Sequence, residues 1–238
     1  ERFKGTYSKT NQVQSRVRML EKLELVEVDE EDTSRLRLKF PPSPRSGSYP
    51  VTMDAVGKTY GDHVVFKNAS LMVERGDKVA FVGRNGEGKS TLVKCIMGQL
   101  EHEGTLTLGH NVQIGYFAQN QATLLDGEIT VYDTIDSVAK GEIRLKIRDL
   151  LGAFMFGGEE GTKKVKVLSG GERTRLAILK LLLEPFNLLI LDEPTKGLDA
   201  LTKEAVINLL SRAQAEGTTI VIATHDMQLI LRIADNVS

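Results

Sequence analysis

The chain has 238 residues, of which 41% are hydrophobic, and this length suits one large domain or one domain with an appendage. Its formal net charge of −1 excludes a global field that draws the protein to nucleic acid or membrane, so any such contact must be local. The single cysteine, Cys95, excludes an internal disulfide and favours an intracellular, cytoplasmic protein in which it is a small buried hydrophobic residue. No apolar run reaches the roughly 18 residues of a membrane span, and no signal-like segment opens the chain.

The first 20 residues are basic, and their pattern becomes helical from Asn11. A narrow apolar stripe runs along this helix at Val13, Val17 and Leu20. Such a stripe is typical of a helix that packs against one partner helix, and no second helix of this kind follows in the chain. The acidic run EVDEED comes next, so we predict a basic then acidic linker helix over residues 1–39.

A proline-rich stretch, FPPSPRSGSYP, occupies residues 40–50 and holds four of the six prolines. This density of proline excludes a helix and predicts an extended linker. We expect the globular domain over residues 51–238. The chain begins at Glu1 instead of Met and stops at ADNVS, where another strand would start, so we predict a fragment truncated at its C-terminus.

The domain begins with a β pattern. VTMDAV, HVVFKN and ASLMVE predict three short strands of an antiparallel edge sheet. KVAFVG, residues 78–83, predicts a buried strand that leads into a glycine loop, and a helix is expected over Lys89–Gly98. TLTLG at 105–109 and VQIGYFAQ at 112–119 predict two further strands.

The second half of the domain alternates between helices and buried strands. Residues 129–185 lose the strand pattern and predict a mostly helical subdomain. NLLILD, residues 187–192, is a continuous apolar run, typical of a strand buried on both faces of a parallel sheet. A helix at about 199–216, the strand TTIVIAT at 218–224 and a helix at about 227–233 follow. The predicted fold class is therefore α/β.

GRNGEGKS, residues 83–90, matches the phosphate-binding loop pattern G-x-x-x-x-G-K-[ST] between a predicted strand and a predicted helix. Its glycines let backbone N–H groups wrap phosphates; they are Gly83, Gly86 and Gly88. Lys89 is expected to reach the β- and γ-phosphates of ATP, and Ser90 to offer its hydroxyl to Mg²⁺. Asn85 and Thr91 complete the predicted ATP-binding loop.

LLILDEP places two adjacent carboxylates, Asp192 and Glu193, at the end of a predicted buried strand. Folds of the α/β class bind ligands at this end of the sheet. We predict that Asp192 holds Mg²⁺ and that Glu193 accepts a proton from, or orients, the attacking water. A solvated acidic turn is the alternative interpretation.

Three further residues are weaker candidates when each is taken alone. Gln119 ends an apolar strand, where it either senses Mg²⁺ and the γ-phosphate or is simply a polar strand end. His225 is the histidine at a strand end on the predicted ligand side. Tyr60 either stacks on a nucleotide base or is an aromatic residue of the edge sheet. The other histidines are expected to be solvated loop residues: His63, His102 and His110.

A second phosphate-facing loop, LSGGE, begins at residue 168, where a serine and two glycines open a predicted helix. With the motifs above, in this order along the chain, it resembles the ATP-binding cassette (ABC) ATPases from about Val51 onward. The resemblance implies a P-loop NTPase of the ABC type in which Tyr60 is the A-loop, Gln119 the Q-loop, Asp199 the D-loop and His225 the switch histidine.

The same resemblance implies that two ABC domains pack head to tail. The segment Ser169, Gly170 and Gly171 then contacts the ATP held on the partner domain's phosphate loop, with Asp199 beside it. An isolated copy is expected to bind ATP and to hydrolyse it weakly unless it finds a partner.

Residues 1–195 resemble the linker and second ATPase domain of ABC-F proteins. The segments that carry this resemblance are QVQSRVRMLEKLE, FPPSPRSG, YFAQ and LSGGERTRLAIL. This implies a ribosome-associated factor whose basic helix meets ribosome or tRNA phosphates; a solvated helix face is the alternative for that charge cluster. Residues 196–238, with TKGLDA and THDMQ, instead resemble a transporter ATPase, which implies a membrane permease as partner. An ATP-gated dimerisation clamp with little turnover is a third interpretation. The sequence leaves open whether the chain is a natural divergent protein or a hybrid.

Overall fold

The computed structural model describes Pro41, residues 43–234 and residues 236–237. The basic then acidic helix predicted over 1–39 lies outside the described residues. Within the described part of the chain, no helix is both long and apolar enough to cross a membrane.

The strands of the described residues form two sheets. They are β1 (Val51–Tyr60), β2 (His63–Val73), β3 (Lys78–Val82), β4 (Glu103–Leu108), β5 (Ile114–Phe117), β6 (Leu188–Asp192), β7 (Thr219–Thr224) and β8 (Asn236–Val237). A three-stranded antiparallel sheet has the order β2-β1-β4, and a five-stranded parallel sheet has the order β5-β6-β7-β3-β8. The predicted α/β fold, with a parallel core sheet and an antiparallel edge sheet, is confirmed.

The central strands of the parallel sheet lie in the buried interior of the domain. Every residue of β6 (LLILD) and of β7 (TIVIAT) is buried. Because both faces of these strands are covered, neither shows the alternation of a half-exposed strand. The short β8 pairs with β3, so a strand does form where the sequence pattern predicted one near the end of the chain.

The antiparallel sheet corrects one prediction. HVVFKN and ASLMVE are not two strands but the single strand β2, which runs through Asn68 without a break. Asn68 has a φ of 53°, and the register against β1 shifts at this point, between Val56 and Lys58. Asparagine tolerates this left-handed backbone better than most residues, so a bulge forms where the pattern predicted the end of one strand and the start of the next.

The helices of the described residues are α1 (Lys89–Ile96), α2 (Val131–Asp136), α3 (Glu142–Leu145), α4 (Ile147–Ala153), α5 (Gly170–Leu182), α6 (Ala200–Ala215) and α7 (Met227–Ile233). Short 3-10 helices lie at Gln121–Leu124, Gly158–Thr162 and Val165–Val167. Between residues 129 and 185, three short helices are followed by two 3-10 turns and then by the 13-residue helix α5. The assignment of that range as a separate subdomain stays a prediction.

The core lies where the two sheets and α1 meet. Its buried residues include Val51, Met53 and Val73 from the antiparallel sheet, Val79 and Phe81 from β3, and Val93 and Ile96 from α1. Cys95 is only 1% exposed, so it is the buried small residue that the sequence predicted, and this burial raises the pKa of its thiol.

The proline-rich segment has no helix or strand in its described part, yet it is tied to the base of the core sheet. The buried Asn187 donates from Nδ2 to the carbonyl oxygens of Pro44 (2.7 Å) and Asn111 (2.8 Å). Its Oδ1 accepts from the backbone N–H of Gln113 at 2.9 Å, so the amide is well satisfied. The buried Ser46 accepts from Arg75 Nη1 through its carbonyl oxygen at 2.8 Å. A domain start at Val51 therefore remains a prediction.

Candidate functional site

The predicted site residues converge at the carboxyl ends of three adjacent central strands. The glycine loop follows β3, Asp192 ends β6, and His225 follows β7. The sheet order places β7 between β6 and β3, with direct pairing on both sides. Ligand chemistry in α/β folds occupies this edge of the sheet.

Lys89 is the first residue of α1, and its ammonium group lies over its own loop. Nζ donates to the carbonyl oxygens of Gly83 (2.8 Å) and Arg84 (3.0 Å). It also lies 3.8 Å from Glu193 Oε1, with both side chains less than a tenth exposed. The cation thus connects the glycine loop to the second strand-end carboxylate. In a water-poor site such a cation attracts anionic phosphate strongly.

The loop backbone needs glycine at two positions. Gly86 and Gly88 have φ values of 91° and 89°, in the left-handed region that side chains disfavour. Gly88 is also crowded, because a Cβ there would stand 2.5 Å from Val65 Cγ1 and 3.3 Å from Phe66 Cδ1. Strand β2 therefore packs directly on the glycine loop. A Cβ at Gly86 would meet nothing within 4 Å.

Replacing Gly88 by Ala is expected to lower the free energy of unfolding by about 1–3 kcal/mol through backbone strain, with a further loss from the clash with Val65. Gly86→Ala is the matched control, because it has nearly the same φ in open space. We expect the urea midpoint to fall further for Gly88→Ala than for Gly86→Ala. Equal midpoints would show that the contact with β2 contributes nothing.

Three predicted magnesium ligands line one cavity. Ser90 Oγ donates to Asp192 Oδ1 at 2.9 Å, and both residues border a cavity of about 470 Å³ together with Gln119, Tyr116 and Lys94. Strand β5 ends at Phe117, so Gln119 lies two residues beyond the strand and is exposed. Mg²⁺ prefers one or two carboxylates with further oxygen ligands, and this donor set fits it.

The carboxylate of Asp192 is suited to receive a cation. Burial raises the pKa of Asp192 above its ordinary value, the hydrogen bond from Ser90 opposes this shift, and the neighbouring Glu193 charge adds to it. The desolvation cost of an ionised Asp192 is therefore only partly compensated by Ser90 and by the nearby Lys94 and Lys89. A bound divalent cation would remove much of that cost.

Glu193 is held in an unusual conformation. Its φ is 50°, although it is not glycine, and it is only 8% exposed. Its backbone N–H donates to the carbonyl oxygen of Ala223 at 2.8 Å, which fixes it against β7. Strained non-glycine residues of this kind concentrate at functional sites.

The last residue of β7, Thr224, and the residue that follows it, His225, hold the carboxylate of Glu193. Thr224 Oγ1 donates to Glu193 Oε2 at 3.2 Å, and His225 Nδ1 lies 2.9 Å from Oε1. The His225 ring is half exposed, while the carboxylate is buried. The structure therefore brings Glu193 and His225 together as a pair.

Tyr60 lies at the end of β1, opposite His63 across a tight turn, and is 47% exposed. Lys58 Nζ stands 5.0 Å from the ring centroid. The same β1–β2 hairpin carries Val65 and Phe66, which contact Gly88. The exposed ring is therefore available for stacking in the hairpin that borders the glycine loop, and its role as the A-loop stays a prediction.

The LSGGE segment is built as a helix N-terminus. Ser169 caps α5 in a capping box: Ser169 N donates to Glu172 Oε2 at 2.7 Å, and Glu172 N donates to Ser169 Oγ at 3.3 Å. The backbone hydrogen bond from Ser169 lowers the pKa of Glu172. Ser169 and Gly170 are exposed, as a surface for a partner requires.

Asp199 lies close to this segment. A Cβ on Gly171 would stand 3.6 Å from Asp199 Oδ2, so the two loops touch. Asp199 itself caps α6, accepting from Thr202 N at 2.9 Å and from Thr202 Oγ1 at 2.8 Å. The hydrogen bonds of Ser169 and Asp199 are thus local, and their contact with a partner's ATP stays a prediction.

Sequence reasoning missed two polar residues next to His225: Thr224, which holds Glu193, and Asp226, which caps α7. Both residues flank a histidine at a strand end, and this position in the sequence could have marked them as candidates. Tyr116 was also missed; it lines the cavity beside Asp192, and burial raises the pKa of its phenol. His63 is the first residue of β2 and not a loop residue, whereas His102 and His110 lie outside the strands.

Comparison with known proteins gives a family match at the core of the domain. The family model described as "ABC transporter" matches residues 66–196. Among curated proteins, ABC transporter F family member 5 of Arabidopsis thaliana is 37% identical over 237 residues, covering 98% of this chain and 34% of that protein. The chain spans between 32% and 44% of the curated relatives that it matches.

Solved structures agree with this match. CbiO1 from Clostridium perfringens, part of the ABC transporter complex CbiONQ, is 29% identical with a TM-score of 0.63, covering 79% of this chain and 83% of that one. An ATP-binding cassette solved as a dimer in a post-hydrolysis state with ADP and Pi is 25% identical, with a TM-score of 0.63 over 77% of this chain and 91% of that one.

Proposed function

We propose that this chain, which belongs to the ABC transporter family of ATP-binding cassette proteins, binds ATP with Mg²⁺ and hydrolyses it as half of an ABC-F-type, ribosome-associated factor. The proposal has two parts, an ATPase domain and a cellular role. The first rests on the site, and the second on the relatives and the sequence pattern. A cytoplasmic location belongs to the same proposal.

One observation supports the ATPase most directly: a phosphate-loop lysine, a strand-end carboxylate and a histidine converge on one point. Lys89 Nζ and His225 Nδ1 lie 3.8 Å and 2.9 Å from the same oxygen, Glu193 Oε1. Phosphate bound by the loop would thus have Glu193 beside it. Phosphoryl transfer to water depends on such positioning and on charge stabilisation.

The residues divide the chemistry between them. Ser90 and Asp192 would hold Mg²⁺, which neutralises phosphate charge when bound. Lys89 binds the phosphates, and Glu193 accepts a proton from the attacking water at its carboxylate. His225 keeps that carboxylate oriented, and Gln119 completes the cavity on the metal side. We propose that Tyr60 stacks on the base.

A second ABC domain that covers the site would exclude water from the bound phosphates. We therefore propose head-to-tail packing in which Ser169, Gly171 and Asp199 reach the partner's ATP. The exposed N-terminus of α5 supports this, because the positive end of the helix dipole favours an anion. A solved relative of similar fold was captured as a dimer with ADP and Pi.

Ser169→Arg is expected to leave ATP affinity unchanged within about twofold and to abolish ATP-dependent dimerisation. The bulky cation would fill the space that the partner's phosphate needs. Ser169→Ala is the matched control, since it loses the same helix cap without adding bulk. Size-exclusion chromatography with ATP measures the dimer, and a dimer that persists in Ser169→Arg contradicts the in-trans contact.

The cellular role is tested with ribosomes. A sucrose gradient of Glu193→Gln with purified bacterial ribosomes, Mg²⁺ and ATP is expected to show co-migration that disappears without ATP. Glu193→Gln combined with Lys89→Ala is the control, because it lacks the phosphate-loop cation. Migration away from ribosomes in ATP contradicts the ABC-F role and leaves the ATPase proposal standing.

A transporter ATPase subunit is the second candidate, favoured by TKGLDA and THDMQ and by the likeness to CbiO1. The match to the ABC-F member nevertheless covers 98% of the chain and so takes in nearly all of this tail. The transporter role predicts co-purification with an integral membrane permease in mild detergent. Recovery of the chain without any membrane protein counts against it.

A further inference from the structure

A polar network joins the Glu193–His225 pair to helix α6. Its centre is Asp226, the residue after His225, whose side chain is only 13% exposed. Asp226 Oδ2 accepts from Thr195 Oγ1 at 3.0 Å and from Lys203 Nζ at 2.8 Å. Its other oxygen, Oδ1, caps α7 by accepting from the N–H groups of Gln228 and Leu229. All four hydrogen bonds converge on one carboxylate.

The network reaches the catalytic carboxylate through one hydroxyl. The backbone N–H of Asp226 donates to Thr224 Oγ1 at 3.1 Å, and Thr224 Oγ1 donates to Glu193 Oε2 at 3.2 Å. Thr224 is completely buried, so its hydroxyl has no water to replace either partner. A displacement of Asp226 would therefore be passed to Glu193 and, through the chain, to His225.

Lys203 is an unexpected residue at its position. It lies one turn after Asp199, with its N–H donating to the Asp199 carbonyl oxygen at 3.0 Å, near the N-terminus of α6. The helix dipole disfavours a cation there. The contact with Asp226 offsets this cost. It indicates that a lysine at this position does more than support the helix.

We propose that Lys203 and Asp226 are positioning residues, which hold the Glu193–His225 pair through Thr224 and connect it to the helix that begins at Asp199. The proposal rests on the ATPase function proposed above and deepens it. A shift of Asp199 caused by a partner domain would move α6, and Lys203 would carry the shift to the site. The pair would then be set for water activation only when α6 is in place.

The structure offers a matched control for this link. Arg232 and Glu204 form a second ion pair between α7 and α6, and it is about half exposed at both side chains. It joins the same two helices and has no hydrogen bond to the network around Asp226. If the ion pairs act only by holding α6 and α7 together, removing either pair should have the same effect on the site. If Lys203 positions Glu193, only removal of the Lys203–Asp226 pair should affect the site.

The test compares Lys203→Met, Lys203→Arg and Arg232→Met in the full chain. The first measurement is NMR of the His225 ring protons without nucleotide, assigned by the signal that His225→Asn removes. We expect a shift of this signal in Lys203→Met, little change in Arg232→Met, and recovery of the parent position in Lys203→Arg. An unmoved His225 signal in Lys203→Met overturns the proposal, whether or not the chain hydrolyses ATP.

The second measurement separates positioning from binding. Lys203→Met is expected to lower kcat about tenfold with ATP affinity unchanged, because a positioning contact is lost and no phosphate contact is. Equal loss of kcat in Arg232→Met and Lys203→Met would overturn the proposal in favour of simple helix packing. Absence of turnover in the parent protein at concentrations where it dimerises with ATP, with the His225 shift still present, would instead reject the ATPase function.

Discussion

Lys89→Ala is expected to weaken ATP binding about 100-fold and to abolish measurable hydrolysis. The lysine side chain is nearly buried, and among the described residues its Nζ pairs with its own loop carbonyls and Glu193, so the phosphates would meet it in a water-poor site. Removing one partner of such a charge-assisted contact costs about 3 kcal/mol, which corresponds to that loss of affinity. Titration with a fluorescent ATP analogue measures the effect.

The control for this prediction is Lys140→Ala, which removes the same charge from an exposed position before α3. Its ATP affinity is expected to stay within about twofold of the parent value. Circular dichroism of Lys89→Ala checks that the fold is retained. If Lys89→Ala binds the analogue as tightly as Lys140→Ala does, the phosphate role of Lys89 is wrong.

Glu193→Gln is expected to lower turnover about 100- to 1,000-fold while ATP binding is retained, and to accumulate a dimer that ATP holds closed. The amide keeps the size of the carboxylate and can still bond Thr224 and His225, but it cannot accept a proton from water. Since the phosphate contacts remain, the head-to-tail dimer forms around ATP. It does not dissociate, because the ATP is not hydrolysed. Single-turnover hydrolysis and analytical ultracentrifugation with ATP measure the two effects.

Glu142→Gln is the matched control, because Glu142 is an exposed carboxylate at the start of α3, away from the strand ends. It should hydrolyse ATP at the parent rate and form no long-lived dimer. Parent-like hydrolysis in Glu193→Gln would show that another group activates the water. A loss of ATP binding in Glu193→Gln would instead show that the carboxylate supports the loop and not the reaction.

Much of the fold could be predicted because its strongest signals are local. β6 and β7 are continuous apolar runs, and the strand-end positions of Asp192 and His225 follow directly from where these runs stop. The break expected in β2 was wrong because Asn68 adopts a left-handed conformation within a paired strand. Such a conformation depends on how the strand pairs with its neighbours, and the local sequence does not show this pairing.

For the same reason, the sequence predicted some of the site residues and missed others. Sequence spacing predicted Lys89, Ser90 and Glu193 as site residues, because they belong to a contiguous motif or follow a strand end. The network of Thr224, Asp226 and Lys203 joins residues up to about 30 positions apart, and the crowding of Gly88 comes from β2. Contacts of this kind depend on tertiary packing, so no local pattern announces them.

The amide of Asn187 connects strand β6 to the proline-rich segment. Asn187 grips Pro44 at the base of the sheet, and β6 runs from the next residue to Asp192, a span of about 17 Å. Because the strand is buried and paired on both sides, it resists bending and acts as a stiff rod between its two ends. Tension applied to the proline-rich segment would therefore act on the strand that ends at Asp192, the predicted magnesium ligand.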